Sequence, residues 1–266
     1  MLRLVIVEDE MDEWKTITRA DKKRVMRRGR TGKKGGNVQE HPRIEVVVRL
    51  QRIIESTRRD LRGSRFWQQM VDSLEKLCQK PREIVCYGVG SFSTTSDTHV
   101  SAALWQLVFA LELSEHMGVT NTSFFDPCTT VFENGFLTEV LGLEVLESND
   151  SGKHCVNEVP TLFFMPHCPR SLYEHVVWAN WESSAISIVG NSLKNQCESL
   201  TPTHCACIRA ALPRLHEIEL QSTKIDIKEL PGNFEGAFND TYLTWFDEGP
   251  WPVRPTLEDA EDPELS

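Results

Sequence analysis

Apolar positions along this chain follow two patterns, one with helical spacing and one of short unbroken runs. From Pro42 onward Ile44, Val47, Val48, Ile53 and Ile54 recur at roughly helical intervals, and after Gly63 the pattern resumes with Phe66, Met70, Leu74 and Leu77. Two amphipathic helices are therefore expected ahead of the core. Residues 83–90, EIVCYGVG, then form a β-branched and apolar run stopped by two glycines, which suits a buried strand better than a helix. Next, Thr94 or Ser96 is the expected cap of a helix whose apolar face is Val100, Leu104, Leu107, Val108 and Leu111, ending near Gly118.

The same alternation repeats. Strands are expected at TSFFDP (122–127), EVLE (144–147), TLFFMPH (161–167) and ISIVGNS (186–192), with helices near 131–141 and 172–180 between them. A helix near 205–212, a strand at HEIEL (216–220) and the segment FNDTYLTWF complete the pattern. Strands alternating with helices predict an α/β protein: a Rossmann-like, mostly parallel sheet with flanking helices, preceded by a helical N-terminal segment. The organisation read from this is a disordered basic arm over 1–41, one α/β domain over 42–246 with its lead-in at 42–80 and core at 83–246, and a loose acidic tail over 247–266. No internal sequence repeat is present.

Charge changes the picture at the N-terminal end. The net charge of −10 hides residues 15–34, which carry ten Lys or Arg against one Asp. Such a segment attracts acidic partners or nucleic acid without reading sequence, acts as a nuclear import signal, or is simply solvated. Trp14 is the only aromatic beside it, so stacking on single strands and sequence-specific DNA binding are not expected. The apolar stretch around Leu104 to Leu113 is interrupted by Gln106 and Glu112, well short of the roughly 20 residues of a membrane span. The N-terminus turns acidic after seven residues and offers no secretory signal, so the eight cysteines read as reduced thiols rather than a disulfide framework.

Candidate chemistry collects at the carboxyl ends of the expected strands, where open α/β sheets bind ligands. Gly88, Gly90 and Ser91 form a turn that resembles a phosphate-cradling loop without the third glycine of a dinucleotide fingerprint; the same glycines also serve a tight turn in a dense core. Asp126 is placed either to bind a ribose, cation or donor group, or to make an Asp-Pro turn. His167 reads as an acid, base or ligand, or as a hydrogen-bonded structural histidine. Cys168 beside it invites a Cys–His reading, but adjacent residues on an extended segment point to opposite faces. His204, Cys205 and Cys207 lack the paired knuckles of a zinc site and read as buried helix thiols, so no metal site is assigned.

The segments YGVGS, FDP, PTLFFMPHC, LY, W-x-NW, GNS and FND, in that order over about 83–246, resemble the sensitivity-to-red-light-reduced family. The matching positions are Gly88, Gly90, Ser91, Asp126, Pro127, Glu133, His167, Asn180, Trp181, Asn191 and Asn239. The resemblance implies regulators of circadian-clock input and light signalling, with relatives linked to clock-gene expression, haem biosynthesis and microtubule stability. It adds Glu133 to the residues expected at that edge, where Gly190 to Ser192 also fall, for a candidate ligand site of Gly88, Gly90, Ser91, Asp126, Glu133, His167 and Asn191.

The reading that follows is a regulatory, non-enzymatic protein of cytoplasm and nucleus, with a cleft for a small molecule or a protein partner. The alternative is a Rossmann-like enzyme with a nucleotide cofactor, using Asp126, Glu133 and His167 as acid, base or ligand. Direct haem binding through His167 or Cys168 is the third. No cofactor is assigned from the residues alone.

Overall fold

The computed structural model describes residues 40–94, 99–198, 205–221 and 224–256. The expected basic arm as far as residue 39, the candidate cap Ser96, His204 and the acidic end from residue 257 lie outside the described residues.

Two helices precede the sheet. Helix α1, Glu40–Gly63, buries Val47, Leu50, Ile53, Ile54 and Leu61 along one stripe, and the chain turns at Ser64, whose hydroxyl accepts from Trp67 N at 3.1 Å to start α2, Arg65–Leu74. Helix α1 begins two residues before the expected domain boundary.

Among the described residues seven strands follow: β1 Glu83–Tyr87, β2 Asn121–Phe125, β3 Glu144–Val145, β4 Thr161–Met165, β5 Ile186–Gly190, β6 Leu215–Glu219 and β7 Tyr242–Phe246. They form one sheet in the order β3-β2-β1-β4-β5-β7-β6. The first five run parallel, while β7 is antiparallel to both β5 and β6. This is the mostly parallel α/β sheet that the alternation predicts.

The helices between the strands are α3 Ala102–Met117, α4 Val131–Gly135 running into a π-helical turn at Phe136–Val140, and α5 Arg170–Ala179. Later come α6 Leu193–Glu198, α7 Ala206–Ala211, α8 Lys224–Glu229 and α9 Phe234–Phe238. Successive strand residues feed opposite layers of core, as a period of two requires. Ile84, Cys86, Leu162 and Phe164 face the layer built on α1, α2 and α3, whereas Val85, Tyr87, Phe163 and Met165 face α5 and α7.

Helix α3 is buried nearly all round because the sheet covers one side and α1 the other. Its buried polar residues are Gln106, whose Nε2 donates to Ala237 O at 3.0 Å, and Glu112, 2% exposed, which receives the guanidinium groups of Arg58 and Arg62 from α1; both arginines also reach Glu115. A buried carboxylate needs such partners, so this network fixes the lead-in helix against the core.

Two expectations are corrected. The cap of α3 is Ser101, whose hydroxyl accepts from Leu104 N at 3.2 Å, not Thr94, so a longer loop separates β1 from its helix. Residues 247–256, expected to be loose, lie against the sheet and α5. Trp251 packs on Trp181 and Phe246, Trp178 Nε1 donates to Pro255 O at 3.2 Å, and Arg254 sits 4.5 Å over the Trp178 ring.

Candidate functional site

Strand register determines what gathers at the carboxyl edge. Tyr87 pairs with Phe125 and Met165 with Gly190, so the residues that follow these strands leave the sheet at one level. Gly88, Asp126, His167 and Asn191 therefore share one edge, as predicted for a parallel sheet. They do not form one cluster there. The hydrogen bonds divide the candidates into two groups.

The first group holds the loop after β1. Gly88 and Gly90 both adopt positive φ, 71° and 82°, which a residue with a side chain rarely takes. Gly90 N donates to Asp126 Oδ2 at 2.7 Å, and Asp126 Oδ1 accepts from Cys128 N at 2.7 Å, so Asp126 both makes its own turn and holds the β1 loop. Glu133 does the same for the next stretch. One of its carboxylate oxygens accepts from Phe92 N and Ser93 N at 2.6 Å and from Ser91 Oγ at 2.8 Å. The other accepts from Thr130 N at 2.8 Å, closing a capping box in which Glu133 N donates to Thr130 Oγ1. Burial pushes the Glu133 carboxyl up, but hydrogen bonds from Thr130, Ser93 and Ser91 together outweigh it and hold it below the usual glutamate value.

The loop after β1 thus cradles two carboxylates of its own chain. The resemblance to a phosphate cradle has a physical basis, since the N–H groups do converge on anions, but those anions are Asp126 and Glu133. The helix that follows contributes no N–H to this loop's turn, because α3 starts only at Ala102 and Ser101 caps it.

The second group is centred on Asn191. Its Oδ1 accepts from His167 N at 2.9 Å, its Nδ2 donates to Asp240 Oδ2 at 3.0 Å, and its backbone N donates to the Tyr173 hydroxyl at 3.0 Å. That hydroxyl donates in turn to Met165 O. His167 has φ of 54°, so it lies in a turn and not on the extended segment assumed from sequence. Its ring Nε2 is 3.1 Å from Gly236 O, which requires the proton on Nε2. Cys168 points elsewhere: its thiol donates to Tyr87 O at 3.4 Å, and burial, with the Asp126 charge added, pushes its pKa well up. A Cys–His nucleophile is not assembled here. The Cys168 thiol, protonated and bonded to Tyr87 O, presents no thiolate to haem iron, whereas the proton on His167 Nε2 leaves the Nδ1 lone pair of that exposed ring unengaged by the bond to Gly236.

Asn180, also carried by the resemblance, is buried and structural. Its Oδ1 accepts from Val156 N at 2.9 Å, and its Nδ2 donates to His154 O and Val176 O. Among the described residues no three His, Cys, Asp or Glu side chains are placed to hold a metal ion. Cys207 is buried in α7 as expected, and burial with the Glu174 carboxylate nearby raises its thiol to about 12.

A cavity of about 400 Å³ opens at the carboxyl ends of β2 and β3 beside the β1 loop. Of the seven candidate residues only Gly90 and Asp126 line it. Phe92, Leu107, Phe124, Leu137 and Val145 provide apolar walls, and Thr129, Asn134 and Glu147 add polar groups. Sequence reasoning missed Asn134 and Glu147. Glu147 carried the same signal as Asp126, an acid at the end of an expected strand, while Asn134 followed Glu133 without any pattern of its own. Among the described residues no helix is long and apolar enough to cross a membrane.

The SRR1 domain matches residues 58–245 of this chain. An SRR1-like protein from Mus musculus is 37% identical over 121 residues, 44% of this chain and 46% of its own length. An SRR1-like protein from Drosophila melanogaster is 32% identical over 136 residues, 51% of this chain and 45% of its own. The protein SENSITIVITY TO RED LIGHT REDUCED 1 from Arabidopsis thaliana is 28% identical over 172 residues, 63% of this chain and 59% of its own. The matches span about half the length of these relatives.

Proposed function

The chain belongs to the SRR1 domain family, and from that premise we propose that it is a non-enzymatic regulator, working through a small-molecule or partner cleft at the strand ends. The observation that carries the regulatory part is the domain match itself, together with a relative named for sensitivity to red light. Clock input and control of haem biosynthesis are the outputs this proposal assigns.

The non-enzymatic part is supported by how the candidate residues are engaged. Glu133 accepts five hydrogen bonds from its own chain, Asn191 holds two turns together, and the Cys168 thiol is buried and protonated. Groups so occupied position loops and are not free to take or give protons. The cleft itself is supported by the cavity between Asp126 and Glu147.

Nuclear entry is assigned to the basic residues between 15 and 34, and cytoplasm to the remaining pool. Replacing those ten Lys and Arg by Gln is expected to leave a tagged protein in the cytoplasm; unchanged nuclear signal would remove this assignment.

Two measurements test the function. Replacing the native gene by a version lacking the domain should alter the period or amplitude of a clock-driven reporter; an unaltered rhythm would overturn the regulatory reading. Native mass spectrometry of protein from its own cells, wild type against Leu137→Trp, reads the cleft. A small-molecule or protein adduct lost in the variant supports it, and the absence of any adduct in both counts against it.

A further inference from the structure

We propose that the cavity at the ends of β1, β2 and β3 binds a nucleoside that carries no phosphate, one with a flat base, free ribose hydroxyls and a neutral or cationic 5′ substituent. This rests on the cleft reading above and gives that cleft a chemical class.

Position is the first argument. The order β3-β2-β1-β4 is that of a mononucleotide-binding half of a doubly wound sheet, in which an acid near the second strand hydrogen-bonds ribose. Asp126 stands directly after β2 and Glu147 just beyond β3, and both line the cavity.

Charge decides between nucleoside and nucleotide. A phosphate needs N–H donors or cations, and three N–H groups of the loop after β1 are already taken by carboxylates of the chain, Gly90 N by Asp126 and those of Phe92 and Ser93 by Glu133. Among the described residues, those lining the cavity include two carboxylates and no Lys, Arg or His. An anion placed there would lose its hydration beside like charge, whereas hydroxyl and ammonium donors meet acceptors.

The remaining features agree. The carboxamide oxygen of Asn134 is buried beside the cavity with no hydrogen-bond partner, although buried acceptors are almost always paired. A donor on the ligand satisfies it. Phe92, Phe124 and Leu137 supply the apolar surface a flat base requires, and Leu137 sits in the π-helical turn Phe136–Val140, a backbone irregularity that recurs at binding sites. A volume of about 400 Å³ falls within the range of small-molecule sites.

The test is calorimetric titration of the full chain with adenosine, S-adenosylmethionine, AMP and ATP. Adenosine or S-adenosylmethionine is expected to bind at least about tenfold more tightly than AMP or ATP, a difference of about 1.4 kcal/mol. Leu137→Trp, which fills the cavity, should abolish that binding, and Glu147→Ala, a change at an exposed position, should weaken it several-fold; the latter carries the test if the former does not fold. Equal or tighter binding of the phosphorylated compounds overturns the proposal, as does no binding of either nucleoside. In both cases the adduct measurement described above still reads whether the cleft is occupied at all, so the two failures are separable.

Discussion

The thiol of Cys168 occupies the space that a side chain on Gly88 would fill: a Cβ on Gly88 would lie 2.6 Å from Cys168 Sγ. Two segments far apart in sequence, YGVGS and FFMPHC, thus meet at one point of the sheet edge. Gly88→Ala is expected to lose about 2–4 kcal/mol in urea denaturation, from positive φ and from overpacking. Adding Cys168→Ala should recover only the packing share, because the backbone strain at position 88 remains. Full recovery in the double variant would show that φ contributes nothing.

Glu133 sets a pH dependence with a definite sign. Its folded-state pKa lies below the unfolded value near 4.5, so its contribution to stability is fully present above that value and is lost as pH falls through the lower, folded one. Glu133→Gln should lower stability at neutral pH by about 1.5–3 kcal/mol, the scale of a hydrogen bond to a charged group. The gap between variant and wild type should then narrow as the solution is acidified below 4.5. A gap that stays constant from neutral pH well into acid would contradict the charged role given to this carboxylate.

Strand positions are legible in the sequence because buried parallel strands are continuous apolar runs, as in Glu83–Tyr87 and Ile186–Gly190, with glycine directly after or at the end. The antiparallel placing of β7 is not, since Tyr242–Phe246 has no local feature that states a direction or a neighbour. Nor is the short α9, which depends on Asn233 accepting from Gly236 N and on Phe234 and Phe238 entering a core made by distant residues. At the site, the polar residues of the edge can be picked out from their places after expected strands, but their division into two groups cannot. That division rests on side-chain hydrogen bonds between segments far apart in the chain, and spacing carries no record of those.

Cysteine reactivity should discriminate sharply between neighbours. A hydrogen bond from the Cys197 thiol, with Arg170 and Arg209 nearby, holds Cys205 below the usual thiol value, while the same bond and burial raise Cys197. The rate of alkylation by iodoacetamide at Cys205 should reach half its maximum at a lower pH than that of a cysteine in a short unstructured peptide, read by peptide mass spectrometry. Cys197 and Cys207 should stay unmodified in the native protein. Preferential labelling of Cys197 would reverse the assigned donor and acceptor.

Haem gives a negative prediction at the cysteine. Because the Cys168 thiol donates to Tyr87 O and burial holds it protonated, any change in the Soret band on titration with haemin should be the same in Cys168→Ala as in the wild type. A Soret change lost in Cys168→Ala would show that this thiol ionises and leaves its bond to Tyr87.

The position of β7 bears on how the protein is made. The last strand among the described residues is not an edge: it lies between β5 and β6 and supplies hydrogen bonds to both. While the protein is being synthesised, β1 to β5 can assemble as they leave the ribosome, but β6 has no partner until residues 242–246 have followed it. Until then the open side of β5 and the whole of β6 are unpaired strand edges, the kind of surface that chaperones cover and that aggregates when they do not. A premature stop just before Tyr242 therefore leaves the central sheet open, although every residue of the candidate site has already been made.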